Sequence, residues 1–293
     1  MLKLFIKLTT FLIPILLLQS LLYSSFSKAE DILIYIRDDV YDDYIKFVDD
    51  RDVHTITNFS GKNIRRDVVD MIIAQQALKM GKFEHDFEYA AGKLNFRNTK
   101  MLESGRLLIS FDTYWLSDAK ALNDSVYISA PVIRKGEYIA GIYTSPNNKA
   151  VLEIKELSDL QNFTAVSTPK WRTDWQTLQA LPLKDIIQED EWLSQARMVN
   201  LGWIDFLLMA FNSTPDQSFK MEKIHLVPVK NIGIELKDSR HFVISANHHL
   251  GKAAYLAMEI GLEQLRNNKR IVEAFTQAGF FIDRKNIKVL NVQ

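Results

Sequence analysis

The chain has 293 residues, with 47% hydrophobic, 25% charged and 11% aromatic side chains, long enough for two domains or two lobes and ordinary for a folded soluble protein. That composition excludes a disordered chain, a collagen-like chain and a multi-span membrane protein. Lys plus Arg and Asp plus Glu both number 36, so no basic excess asks for nucleic acid, and the lack of cysteine removes disulfides, thiol catalysis and Cys-based zinc or iron–sulfur sites.

Lys3 and Lys7 open the chain, residues 8–22 are largely apolar, and Ser27-Lys28-Ala29 puts small residues where a signal peptidase cuts. Residues 1–29 are expected to be a secretory signal peptide. Pro14, Gln19 and Ser20 break the apolar run, which falls short of the ~20 apolar residues of a bilayer span; an uncleaved anchor is the alternative. No Cys follows it, which excludes a lipoprotein anchor. Its removal would take Lys3, Lys7 and Lys28 and no acid, leaving a mildly acidic, soluble chain indifferent to an oxidising compartment.

Residues 32–36 read as a β-rich strand, and Val69, Ile72, Ile73, Ala77 and Met80 follow at helical spacing until Gly81. Further strands are expected at 107–111, 126–128 and 136–143. In the middle of the chain, 163–166 is a strand, Thr173-Asp174-Trp175-Gln176 reads as a capping box opening a helix, and 185–188 is another strand. Trp192, Ala196 and Val199 form a helical stripe ended by Gly202, and the apolar run 204–211 suits a strand covered on both faces. A strand at 241–245 leads into two helices, one repeating Ala253, Leu256, Ala257 and Ile260, the other Ile271, Ala274, Phe275 and Ala278 before Gly279. This alternation predicts an α/β protein with a largely parallel sheet in each lobe, flanked by helices.

Every proline after Pro14 lies between Pro131 and Pro228, together with Trp171, Trp175, Trp192 and Trp203. A distinct middle between similar flanks predicts one lobe built from 30–137 plus 239–293 and an inserted second lobe, 138–238, joined by two hinge crossings near 134–138 and 236–240.

The order of elements resembles the family 3 solute-binding proteins, of the periplasmic type 2 binding-protein fold. The matching stretches are Leu102-Glu103-Ser104-Gly105, Ser129-Ala130-Pro131, Glu156-Leu157-Ser158-Asp159-Leu160, Asn200-Leu201-Gly202-Trp203-Ile204-Asp205 and the closing strand with its two helices. Together they span most of residues 30–282. The resemblance is nearest to a divergent branch in which a Gly-containing turn, a Trp and an Asp open the first helix of the inserted lobe; Trp171 and Asp174 stand there, with Ser167-Thr168-Pro169 in place of the glycines. It implies a periplasmic protein whose lobes close on a small polar or anionic ligand, without cofactor, as a monomer, with an inner-membrane transporter or sensor as partner. Amino-acid-binding members carry an Arg in a Thr-x-x-Arg segment of the first lobe that clamps the ligand carboxylate, where this chain has Leu116-Ser117-Asp118-Ala119-Lys120. The Asp that holds the ligand amine in many members falls on Ala210. An ordinary L-amino acid is therefore not the expected ligand.

Ligands of such proteins bind outside the carboxyl ends of strands, near helix N-termini. The expected site residues are Arg37 after the first strand, Trp115 and Lys120, Ser129 near the hinge, and Thr168, Lys170, Trp171 and Asp174 in the loop and first turn of the inserted lobe, with Arg172 as an alternative cation. Trp171 and Trp115 would supply stacking walls. Each also has a structural reading: a capping Thr, a solvated Lys, a core Trp. No Gly-x-Ser-x-Gly, His-Glu-x-x-His or phosphate loop occurs, and neither His248-His249 nor Glu84-His85-Asp86 has metal spacing, so neither catalysis nor a metal is expected. The alternatives are an orphan receptor subunit feeding a membrane sensor and, third, a periplasmic enzyme on the same scaffold.

Overall fold

A computed structural model describes residues 32–91 and 95–292; the expected signal peptide, 1–29, lies outside them. The first strand, β1 (Ile32–Ile36), pairs in parallel with β2 (Phe87–Ala91). Between them come α1 (Asp38–Val48) and α2 (Arg66–Met80). Asp38 and Asp39 in the first turn of α1 favour its N-terminus. Helix α2 is buried on every side from Asp67 to Leu78, as a helix at the centre of a lobe must be. Then follow α3 (Asn95–Glu103), β3 (Tyr114–Trp115), α4 (Leu116–Lys120) and β4 (Val126–Ile133). The expected strand at 107–111 is instead a buried irregular segment that touches the sheet through an isolated bridge, Ile109 to Ile244.

The chain then builds a second sheet around β5 (Ile139–Thr144), which pairs antiparallel with β8 (Leu207–Ala210), β10 (Ile224–Pro228) and β11 (Ile232–Glu235). Helix α5 (Lys149–Leu152), the parallel pair β6 (Thr164–Ser167) and β7 (Asp185–Gln188), and helices α6 (Arg172–Gln179) and α7 (Trp192–Asn200) complete this lobe, with β9 (Phe219–Met221) forming a hairpin on β10. Strand β12 (Arg240–Ser245) returns to the first lobe between β3 and β4, antiparallel to both. Helices α8 (Gly251–Asn267) and α9 (Arg270–Gln277) close that lobe, and β13 (Lys288–Val289) goes back to pair with β11.

Two expectations are corrected. The sheets are not mainly parallel: among the described strands only β1/β2, β6/β7 and β11/β13 run parallel. The chain leaves one lobe along β4 and β5 and returns along β11 and β12, so outgoing and returning strands lie antiparallel in both lobes. The C-terminal residues do not all stay with the first lobe either, since Leu290 joins the apolar core of the second.

The helical stripe expected on α8 is displaced. Its buried face is Ala254, Ala257, Met258, Gly261, Leu262 and Leu265, while Ala253 is exposed and Leu256 and Ile260 are 50% and 49% exposed. Backbone proximity to α2 sets this phase. A Cβ on Gly261 would sit 2.0 Å from the Ala77 carbonyl oxygen, and one on Gly81 would sit 2.1 Å from that of Ala257. Only glycine at both points lets the helices lie this close.

Candidate functional site

The two lobes have separate apolar cores, and a third small cluster, Trp115, Ala140 and Leu236 with Tyr138 against it, sits where the chain crosses between them. On this floor the Tyr138 and Trp115 rings stack at 5.3 Å, and the edge of Tyr138 meets Phe280 at 4.7 Å. Arg240, the first residue of β12, lies 4.6 Å over the Trp115 ring, a cation–π contact strengthened by burial.

Above the floor the N-terminus of α2 supplies Arg66, Asp67 and Asp70. A cation at a helix N-terminus opposes the dipole, and the two aspartates of the same turn offset it. Arg66 donates from Nη1 to Asp70 Oδ2 at 2.5 Å and to Thr113 Oγ1 at 3.2 Å, and from Nη2 to Asp112 Oδ1 at 3.2 Å, and it pairs with Asp67. Thr113 is the junction. Its hydroxyl accepts from Arg240 Nε at 2.9 Å and donates to Asp70 Oδ2 at 2.8 Å, and its carbonyl accepts from Arg240 Nη2. The other oxygen of Asp70, Oδ1, is buried without a partner.

The second lobe meets this cluster with the N-terminus of α6. Arg172 reaches across to Asp118 of α4 at 3.6 Å, and Asp174 lies in the fields of Arg240 and Arg66. Burial raises Asp70 to about 7 and Asp174 to about 6 although both arginines pull them down. Burial also raises Asp118, against Arg172. For Asp67 burial is outweighed by Arg66, Arg65 and Arg37, which hold its carboxyl far below the usual range. Tyr138 is pushed up to about 12, by burial first and then by Asp174. Carboxylate oxygens of Asp67, Asp70 and Asp112 lie within 4.8 Å of one another, close enough for a metal, but all three already share the Arg66 guanidinium.

Of the residues singled out in the sequence, Trp115 and Asp174 come to this site. Arg37 stands at its edge, paired with Asp39 at 3.1 Å and Asp67 at 3.8 Å. Trp171 is the residue before α6 and is 36% exposed. The expected Thr-x-x-Gln capping box is absent: the helix starts at Arg172 without a side-chain cap, and Thr173 is inside it. Ser129 spends its hydroxyl within the sheet, donating to the Ala130 carbonyl and accepting from the Phe242 amide. Thr168 donates to Asp190 at 2.6 Å, and Lys170 pairs with the same carboxylate at 2.8 Å with its side chain 72% exposed. Lys120 is exposed on α4. Arg66, Asp67, Asp70, Asp112, Thr113, Tyr138 and Arg240 were missed. The signal for the first three was present as four charged residues, Arg65, Arg66, Asp67 and Asp70, at the head of an apolar helical run.

This architecture is the two-lobed type 2 periplasmic binding-protein fold. Similar solved structures include the Bacillus subtilis probable amino-acid ABC transporter extracellular-binding protein ytmK, with TM-score 0.54, 12% identity and 86% of this chain covering 98% of that one. Substrate-binding domain 2 of Lactococcus lactis GlnP in its open conformation matches with TM-score 0.52 and 12% identity over 89% of this chain and 99% of that one. The periplasmic VFT2 domain of Bordetella pertussis BvgS matches with TM-score 0.52 and 14% identity over 70% of this chain and 83% of that one. No family model matches the chain, and no curated protein is similar to it in sequence.

Proposed function

We propose that this chain is a periplasmic solute-binding protein whose lobes, 30–137 with most of 239–293 and 138–238, close on a small polar ligand other than an ordinary L-amino acid. The observation that carries this is the polar cluster at the lobe boundary. Asp70 and Thr113 are buried and Arg66 and Arg240 mostly buried at the lobe boundary beside an aromatic floor, a poor place for charge unless binding uses it. Trp115 and Asp174, with Trp171 and Arg37 at the rim, are the sequence-derived candidates that fit the site. The pairing of each buried cation with carboxylates, rather than of a nucleophile with a base, favours binding over catalysis. The partner would be an inner-membrane transporter. A thermal-shift screen of the purified chain against polar metabolites tests this, because a ligand of the folded state raises the melting temperature by mass action. A broad screen in which no compound raises it overturns the proposal.

A second reading keeps the fold and gives the chain to a membrane sensor as a receptor subunit. Arg172 and Asp118 favour it, since they bridge the lobes with the protein's own side chains. Co-purification from membranes with a sensor protein rather than with a permease would decide for it.

A further inference from the structure

Charge in the interlobe site does not balance. Its cations are Arg66 and Arg240, mostly buried, with side chains 16% and 11% exposed. Against them stand Asp67, Asp70 and Asp112 from the first lobe and Asp174 from the second. Of the neighbouring arginines, Arg65 and Arg37 compensate Asp67 and the exposed Asp39, and Arg172 is taken by Asp118, which leaves Asp70, Asp112 and Asp174 to share Arg66 and Arg240. Asp112 takes both buried arginines and Asp67 takes three cations. Asp70 is different. It is 0% exposed, one of its oxygens is bonded to Arg66 and Thr113, and the other has no partner. A buried carboxylate with a vacant acceptor is costly in a low dielectric, and a donor that carries positive charge satisfies both the lone pair and the charge.

We propose that the cleft takes an organic cation, an ammonium or guanidinium group held between Asp70 and Asp112 of the first lobe and Asp174 of the second. This rests on the reading of the cleft as a ligand site and names the charge of its ligand. It departs from the anionic alternative that the resemblance implied, and of the expected site lysines Lys170 is bound to Asp190 and Lys120 is exposed. Burial is the first cause of the high positions of Asp70 and Asp174, about 7 and about 6, and it outweighs the pull of Arg66 and Arg240 on both. A bare metal ion suits the cluster less well, because the Arg66 guanidinium lies among the three carboxylates a metal would use. An ammonium or guanidinium adds N–H donors without demanding a closed shell of oxygens.

The test compares the melting temperature of the full chain with putrescine, agmatine, succinate, inorganic phosphate and calcium chloride, each at millimolar concentration. Putrescine or agmatine is expected to raise it while succinate and phosphate do not. Asp174→Asn and Asp112→Asn are expected to weaken the bound cation at least tenfold by calorimetric titration, with circular dichroism like that of the wild type. Stabilisation by succinate or phosphate and not by the amines overturns the cation assignment and leaves the binding function standing. Stabilisation by calcium alone replaces the organic cation with a metal. Undiminished amine binding in Asp174→Asn places the cation elsewhere and overturns the assignment. No shift with these probes or with the broader metabolite screen removes the binding function and this inference together.

Discussion

Asp70 should make the protein less stable as the pH rises through neutrality. Its side chain is fully buried, and its folded-state position is about 7, well above the ~3.9 of an unfolded aspartate. A carboxyl raised on folding binds its proton more tightly in the folded state, so its contribution is present at low pH and is lost as pH climbs through the folded value. Between about pH 5 and pH 8 the unfolded chain is already ionised and the folded one loses its proton, which removes roughly 2 to 3 kcal/mol. Asp70→Asn cannot ionise, and its carbonyl oxygen can still accept from Thr113 and Arg66. Urea unfolding at a series of pH values should show the variant gaining that amount on the wild type across the interval. Comparing the two chains cancels the titration of every other group. Parallel profiles for wild type and variant would refute the picture of Asp70 as a carboxyl raised by burial.

Arg172→Ala breaks a part-exposed pair worth about 0.2 to 1 kcal/mol, enough to shift an open–closed equilibrium by at most about fivefold; small-angle scattering should show a larger radius of gyration, and an unchanged value would mean the pair does not hold the lobes. Gly261→Ala pushes a methyl into the Ala77 carbonyl and should lower stability by about 1 to 3 kcal/mol in urea unfolding, with no loss meaning that α2 and α8 can part freely. Trp171→Ala should weaken an identified ligand by ~1 to 3 kcal/mol at an unchanged melting temperature; equal affinity would place Trp171 outside the site.

Much of the fold could be read from periodicity because periodicity reports burial. The helix from Val69 to Met80, the strand at 185–188 and the turns at Gly202 and Gly279 all follow from local pattern, and both glycines take the left-handed backbone that favours that residue. The phase of α8 was hidden because its buried face is made of small residues, Ala254, Ala257 and Gly261, while larger Leu256 and Ile260 face outward. Pattern reading gives weight to size, and here closeness to α2 required its absence. Sheet direction was hidden for a different reason: it depends on which strand crosses the hinge outward and which returns, a property of topology and not of any window of sequence.

The site was hardest to read because its parts are far apart in the chain and ordinary where they stand. Arg240 looks like a charged residue before a strand, and Asp112-Thr113 like a polar turn. They acquire a role only when β12 returns beside β3 and places Arg240 over Trp115 and against Thr113. That return is also the second crossing between the lobes, so the residue that anchors the polar cluster lies on a segment that would bend in the proposed closure. Tyr138 is its counterpart on the outgoing crossing, stacked on the same tryptophan. On the proposed lobe closure, a rotation of one lobe against the other would slide Tyr138 or Arg240 over the Trp115 ring. Replacing Trp115, only 6% exposed, with Ala removes the shared surface and should cost about 3 to 5 kcal/mol of stability in urea unfolding. The milder Trp115→Phe keeps a ring under Arg240 and should retain the fold while changing ligand affinity. Wild-type affinity in the Phe variant would show that the stack carries only packing, and that hinge and site are independent of one another.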